Sequence, residues 1–185
     1  MELIIATGNR HKVEEMQKIL KEFSINLKQV EIKLLEPDFD SQEEVAEEKA
    51  RQAFVKVKKP VIAEDTGVYF EGYNNFPGLF AKRVFLGIGF EGLLALIKNA
   101  KNKKAYFKTV VSYYDGKTMK SFSGILKGTL LEKLVNENAD RLPYEKLFVP
   151  DGSKKALVDI PLEEKNKISH RAIATRKLGE WLKNK

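Results

Sequence analysis

The sequence predicts an α/β fold built on a mixed β-sheet. Three observations lead there. Apolar segments of strand and helix period alternate through the first half of the chain, a long hairpin rich in β-branched and aromatic residues follows, and an amphipathic helix closes the chain. At 185 residues the expectation is one domain spanning 1–185.

The elements follow in order. Glu2-Leu3-Ile4-Ile5-Ala6 reads as a short apolar strand that runs into Thr7-Gly8-Asn9. Val13, Met16, Ile19, Leu20 and Phe23 then fall at helical spacing, predicting a helix over about residues 10–23. A strand around residues 27–34 comes next, and Glu36-Pro37-Asp38-Phe39-Asp40-Ser41 reads as a loop. Ser41 caps a second helix whose buried stripe is Val45, Ala46, Ala50, Ala53, Phe54 and Val57, ended by Lys58-Lys59-Pro60. Val61-Ile62-Ala63 is a buried strand leading into Glu64-Asp65-Thr66-Gly67. Asn74-Asn75-Phe76-Pro77-Gly78 is a turn cluster, and residues 90–97 are helical with Leu93, Leu94 and Ile97 inward. Strand-type residues fill 105–114, Asp115-Gly116 turns the chain, and 118–126 return. Lys146-Leu147-Phe148-Val149 reads as a further short strand, and Ser169 as the N-cap of a last helix burying Ala174, Leu178, Trp181 and Leu182.

Composition narrows the function classes. There are no cysteines, which removes disulfide frameworks, thiolate catalysis and cysteine metal sites together. No long apolar run predicts a transmembrane helix and no signal-peptide pattern opens the chain, so a cytoplasmic protein without a membrane partner is the expectation. A formal charge of +7, from 33 basic and 26 acidic residues, favours a polyanionic ligand; a Lys/Glu-rich surface of the heat-adapted kind is the other reading. The lysines are spread along the chain rather than gathered in a tail, which argues against a nucleic-acid arm.

Three polar clusters carry the chemistry. In the first, Thr7, Gly8, Asn9 and Lys12 sit where a strand enters a helix, a place that presents backbone N–H groups and a positive dipole end to an anion. An ordinary turn with Asn9 as helix cap is the alternative. In the second, Glu64 and Asp65 end a buried strand. Carboxylates there need solvent, a cationic partner or a metal, and oxygen ligands without cysteine point to Mg²⁺. Strand alternation sends Glu64 and Asp65 to opposite faces, so Glu64 is not expected to duplicate Asp65. Glu43 and Glu44 open the second helix, as further metal oxygens or as partners of its dipole. The third cluster, Lys165-Asn166-Lys167-Ile168-Ser169-His170-Arg171, sets cations and an imidazole across a helix start, as an anion site or as a cap with surface charges. Two basic clusters and one acidic one suit hydrolysis or transfer on a nucleoside triphosphate.

In this order, the motifs Thr7-Gly8-Asn9-x-x-Lys12, Glu64-Asp65-Thr66-Gly67, Phe76-Pro77-Gly78, Ala105-Tyr106-Phe107, and Glu164-Lys165-Asn166 through Ser169-His170-Arg171 resemble the inosine triphosphate pyrophosphatase, or Ham1-like, family over nearly the whole chain. The resemblance implies an elongated mixed sheet flanked by helices, with two lobes around a central cleft, and a homodimer. It also implies Mg²⁺-dependent hydrolysis of non-standard purine triphosphates (ITP, dITP, XTP) to monophosphate and pyrophosphate.

Carried over by motif, Asp65 would bind metal and activate water, with Lys12 as the second catalytic residue. Thr7, Asn9 and Lys12 would hold the phosphates, Gly8, Arg10, His11 and Thr66 would also bind substrate, and Lys49 and Lys82 would reach the triphosphate. Lys165, His170 and Arg171 would contact phosphate or base. Glu44 aligns with an acidic residue beside the metal, Asp38 being the other acid for that place. Residues 142–148 depart from the family pattern. Leu142 stands where an aromatic stacks on the base, Pro143 replaces a glycine, Tyr144 is kept, Glu145 replaces an aspartate that reads the base edge, and Lys146 replaces a proline. The base preference is therefore expected to be altered. The alternatives are a non-catalytic nucleotide- or nucleic-acid-binding protein on the same fold, or a pyrophosphatase for another modified nucleotide.

Overall fold

A computed structural model describes residues 1–35 and 39–185; the expected loop at 36–38, with Asp38, lies outside them. Among the described residues seven strands form one mixed sheet: β1 (Glu2–Ala6), β2 (Asn26–Val30), β3 (Val61–Phe70), β4 (Phe76–Gly78), β5 (Lys104–Tyr114), β6 (Met119–Leu130) and β7 (Phe148–Pro150). Their order is β2-β1-β3-β5-β6-β7, with β4 on β3. Strand β1 pairs in parallel with β2 and β3, whereas β3–β4 and β6–β7 are antiparallel. Among the described residues the helices are α1 (Arg10–Leu20), α2 (Gln42–Val57), α3 (Ala81–Asn99), α4 (Leu162–Ile168) and α5 (His170–Lys183).

The α/β expectation is met, with local differences: α1 ends at Leu20, β6 runs on to Leu130, and a short α4 precedes Ser169. β2 stops at Val30, short of residue 34. β3 continues through Glu64-Asp65-Thr66-Gly67 to Phe70, because the turn residues 76–78 fold back as β4 and pair with its far end. Gly67 permits this approach: a Cβ there would lie 2.7 Å from the Gly78 carbonyl oxygen. α3 starts at Ala81 rather than near residue 90, and Gly89, at φ 60° and ψ −165°, breaks its helical geometry. Residues 143–147 form a 3₁₀ turn with Pro143 in its first turn, so the strand expected at 146–149 begins only at Phe148.

The chain divides into two compact units, Met1–Thr66 with Thr109–Gly124 and Asn166–Lys185, and Gly67–Lys108 with Ile125–Lys165. In the first unit the period of two along β1 and β3 separates two cores. Leu3, Ile5 and Ile62 pack with Met16 and Leu20 of α1 and with Ala174 and Leu178 of α5. Ile4, Ala6 and Val61 pack with Ala53, Phe54 and Val57 of α2. The second unit gathers Phe70, Leu93, Ile97, Phe107, Leu130, Leu147 and Phe148 into its own core.

Gly124 of β6 sets the position of the α5 start. A Cβ at 124 would lie 2.1 Å from the His170 carbonyl oxygen and 2.8 Å from the Ala174 nitrogen. Backbone cannot yield as a side-chain tip can, so Gly124→Ala should destabilise by about 1–3 kcal/mol or more. Gly87, with nothing within 4 Å of the added atom, is the control. Urea-denaturation midpoints of the two variants check this; equal midpoints would contradict the tight approach of β6 and α5.

Candidate active site in the first unit

The alternation that splits the two cores also places the charged residues. Glu64 and Thr66 share the face of Ile62, toward α1 and α5; Asp65 shares the face of Val61, toward α2. Their partners agree. Asp65 Oδ1 accepts from Lys49 Nζ at 2.8 Å and Oδ2 from Gln42 Nε2 at 3.3 Å, both donors on α2. Gln42 and Lys49 are seven residues apart, hence on one helix face. The Asp65 side chain keeps 14% exposure, so its carboxylate is held from behind while still reaching solvent.

Glu64 is the opposite case. Its side chain is fully buried and forms an ion pair with Lys12 of α1 through Oε1. Its Oε2 accepts from Thr66 Oγ1 at 2.8 Å and lies 3.6 Å from Arg171 Nε of α5. Burial alone would raise its pKa, but the charges of Lys12 and Arg171, with hydrogen bonds from Lys12 and Thr66, bring it from 4.5 down to about 2. Arg171 is itself fully buried and gives Nη1 to Glu15 Oε2 at 2.6 Å and Nη2 to Thr66 Oγ1 at 3.4 Å. Asn166 Nδ2 donates to the Glu15 carbonyl at 3.3 Å, tying the end of α4 to α1.

The first cluster takes the form of a capped turn. Asn9 Oδ1 accepts from the backbone N–H groups of His11 and Lys12 at 3.0 and 3.4 Å, and Thr7 Oγ1 accepts from Asn9 N–H at 3.2 Å. Asn9 therefore takes up two of the N–H groups a helix start leaves open. Gly8 and Arg10 are exposed. His170 is buried in the first turn of α5, whose cap Ser169 accepts from Ala172 N–H at 3.1 Å. Glu44 completes a capping box with Ser41, its Oε2 taking the Ser41 N–H at 3.1 Å and hydroxyl at 2.8 Å. It is exposed and lies roughly opposite Gln42 and Lys49 around α2, so the structure does not bring it to Asp65.

Five of the expected residues belong to the second unit. Lys82 is exposed near the start of α3. Leu142 is half-buried. Tyr144 turns inward, donating to the Ala81 carbonyl at 2.8 Å, and burial pushes its phenol pKa up. Glu145 and Lys165, expected to read the base and hold substrate, bind each other at 2.5 Å with both side chains buried.

Glu15, Gln42 and Thr109 were not singled out from sequence. For the first two a signal existed: Glu15 is a carboxylate beside Met16 on the apolar face of α1, and Gln42 stands two turns before Lys49.

For a divalent ion the donor chemistry fits. The acids are hard oxygens, and each Asp65 oxygen keeps a lone pair beyond the bond it accepts. No group of three or more His, Cys, Asp or Glu side chains able to hold a metal occurs among the described residues.

Fold and site together define an α/β protein whose charged side chains gather where β3 meets the starts of α1, α2 and α5. The profile of the Ham1 family matches residues 3–181, and the chain belongs to that family. It is 37% identical over its full length to the dITP/XTP pyrophosphatase of Methanopyrus kandleri, covering 97% of that protein. It is 36% identical over 98% of its length to the dITP/XTP pyrophosphatase of Hyperthermus butylicus, covering 94% of it. The solved HAM1 protein of Coxiella burnetii matches the fold at a TM-score of 0.86, with 22% identity and full coverage of both chains.

Proposed function

We propose that this protein hydrolyses non-standard purine nucleoside triphosphates, of the dITP and XTP kind, to the monophosphate and pyrophosphate. Full-length relatives named for that activity support the reading. The observation that carries it is Asp65: a carboxylate gripped by Lys49 and Gln42, open to solvent, and one residue from the ion pair of buried Glu64 with Lys12.

Asp65 orients a water molecule and takes its proton, which needs a carboxylate that is both fixed and wet. Lys12, 21% exposed, offers positive charge to the triphosphate, and Lys49 keeps Asp65 aimed. Arg171, held on two sides by carboxylates, and His170 order the α5 start against substrate. Mg²⁺ is the proposed cofactor, with Asp65 as its protein ligand; when bound it neutralises phosphate charge and polarises the phosphoryl oxygens. The working unit is the whole of residues 1–185, as a cytoplasmic homodimer. No helix among the described residues is long and apolar enough to cross a membrane.

A panel of dITP, XTP, ITP and the standard triphosphates, incubated with Mg²⁺ and separated by product, tests the reading. Monophosphate plus pyrophosphate is expected, with the highest kcat/KM for the non-standard purines. Diphosphate plus phosphate, or no turnover of any triphosphate, would contradict it.

A further inference from the structure

We propose that Glu64 is a positioning residue that fixes the cations of Lys12 and Arg171 from inside the core and takes no part in proton transfer or metal binding. The proposal rests on the pyrophosphatase reading for its activity readout. Three features of the geometry carry it. First, the Glu64 side chain has no solvent exposure, whereas Asp65 keeps 14%. A carboxylate sealed from water cannot deliver a proton to or from a solvent nucleophile.

Second, its two oxygens face donors from three elements. Oε1 meets Lys12 of α1, and Oε2 meets Thr66 of β3 at 2.8 Å and Arg171 of α5 at 3.6 Å. Third, the hydroxyl protons can be assigned by count. Thr66 has one hydrogen, which goes to Glu64. Buried Thr109, whose Oγ1 lies 2.5 Å from Thr66 Oγ1, must then be the donor to Thr66. Thr66 Oγ1 also faces Arg171 Nη2 at 3.4 Å, so Thr66 links the carboxylate and the guanidinium.

The result is asymmetric. Arg171 is clamped on its far side by Glu15 at 2.6 Å and is fully buried. Lys12 has 21% exposure and no other carboxylate against its ammonium among the contacts described. Loss of the Glu64 charge should therefore release Lys12 first and leave Arg171 on Glu15. Glu64 acts through Lys12.

The test is a cycle of wild type, E64Q, K12Q and the double variant. It is read as kcat/KM for dITP and as calorimetric Kd for the same nucleotide, with melting temperature alongside. E64Q should lower kcat/KM by about tenfold or more in the wild-type background and by less than about threefold in the K12Q background. Because the lost contact is with bound phosphate, the change should fall on KM more than on kcat. The conservative E64D, which keeps the charge and shortens the reach, should recover part of the loss and stands in if E64Q does not fold.

Equal factors for E64Q (or E64D) in both backgrounds would overturn the proposal, since a merely structural carboxylate penalises K12Q as much as wild type. If wild type binds dITP without cleaving it, the pyrophosphatase reading fails and the Kd cycle still decides the role of Glu64. If wild type does not bind dITP, both fall.

Discussion

Asp65→Asn lowers kcat by about 10²–10⁴-fold, the range that a positioned general base contributes, and leaves the melting temperature nearly unchanged. The structure gives both halves of this expectation. Asparagine keeps the shape, its Oδ1 can still accept from Lys49 at the site of the 2.8 Å bond, and its Nδ2 can donate to Gln42 once that amide turns its oxygen inward, so packing around α2 is retained. What it loses is the negative charge that takes a proton from water. The comparison with E64Q sharpens the result. Both variants remove one carboxylate charge from neighbouring positions on β3, but Asp65 faces α2 and solvent while Glu64 faces Lys12 and the buried Arg171. Asp65→Asn should act on kcat and E64Q on KM. Steady-state kinetics at saturating and limiting dITP separates the two, and a rise in KM with kcat unchanged for Asp65→Asn would remove Asp65 from the role of base.

Lys165→Met destabilises the fold by about 3–5 kcal/mol, because it removes the ammonium bonded at 2.5 Å to the buried Glu145 carboxylate. The pair bonds at 2.5 Å with side chains only 2% and 1% exposed. Replacing both partners by apolar residues of similar volume should recover most of the loss, since the attraction within a buried pair does little more than offset its desolvation. Chemical denaturation of Lys165→Met, Glu145→Met and the double variant gives the coupling directly. Near-additive single losses would show that each residue is stabilised by other neighbours instead.

Local periodicity and capping are legible in the sequence; contacts made only by the tertiary fold are not. The opening strand, α2 with its Ser41 cap, the hairpin of β5 and β6, and α5 after Ser169 follow from period and capping, which are local properties. The opposite orientation of Glu64 and Asp65 also follows from the period of two along a strand. The fate of Lys165 does not. Next to His170 and Arg171 it reads as one more cation for an anionic ligand; its partner Glu145 lies 20 residues away, and only the tertiary fold brings the two together. Asn9 is intermediate. Its cap was one of two readings of the same turn, and the hydrogen bonds to His11 and Lys12 place it there. The early part of α3 was missed because Gly87 and Gly89 interrupt an apolar run that has no clean helical stripe.

In the proposed reaction water attacks the α-phosphorus of a purine triphosphate, and the nucleoside monophosphate takes up its oxygen. Turnover of dITP in ¹⁸O-labelled water tests it most directly. Incorporation of one ¹⁸O into the nucleoside monophosphate, with unlabelled pyrophosphate, is the predicted result. Label in the pyrophosphate, or in inorganic phosphate released beside a diphosphate, would contradict it.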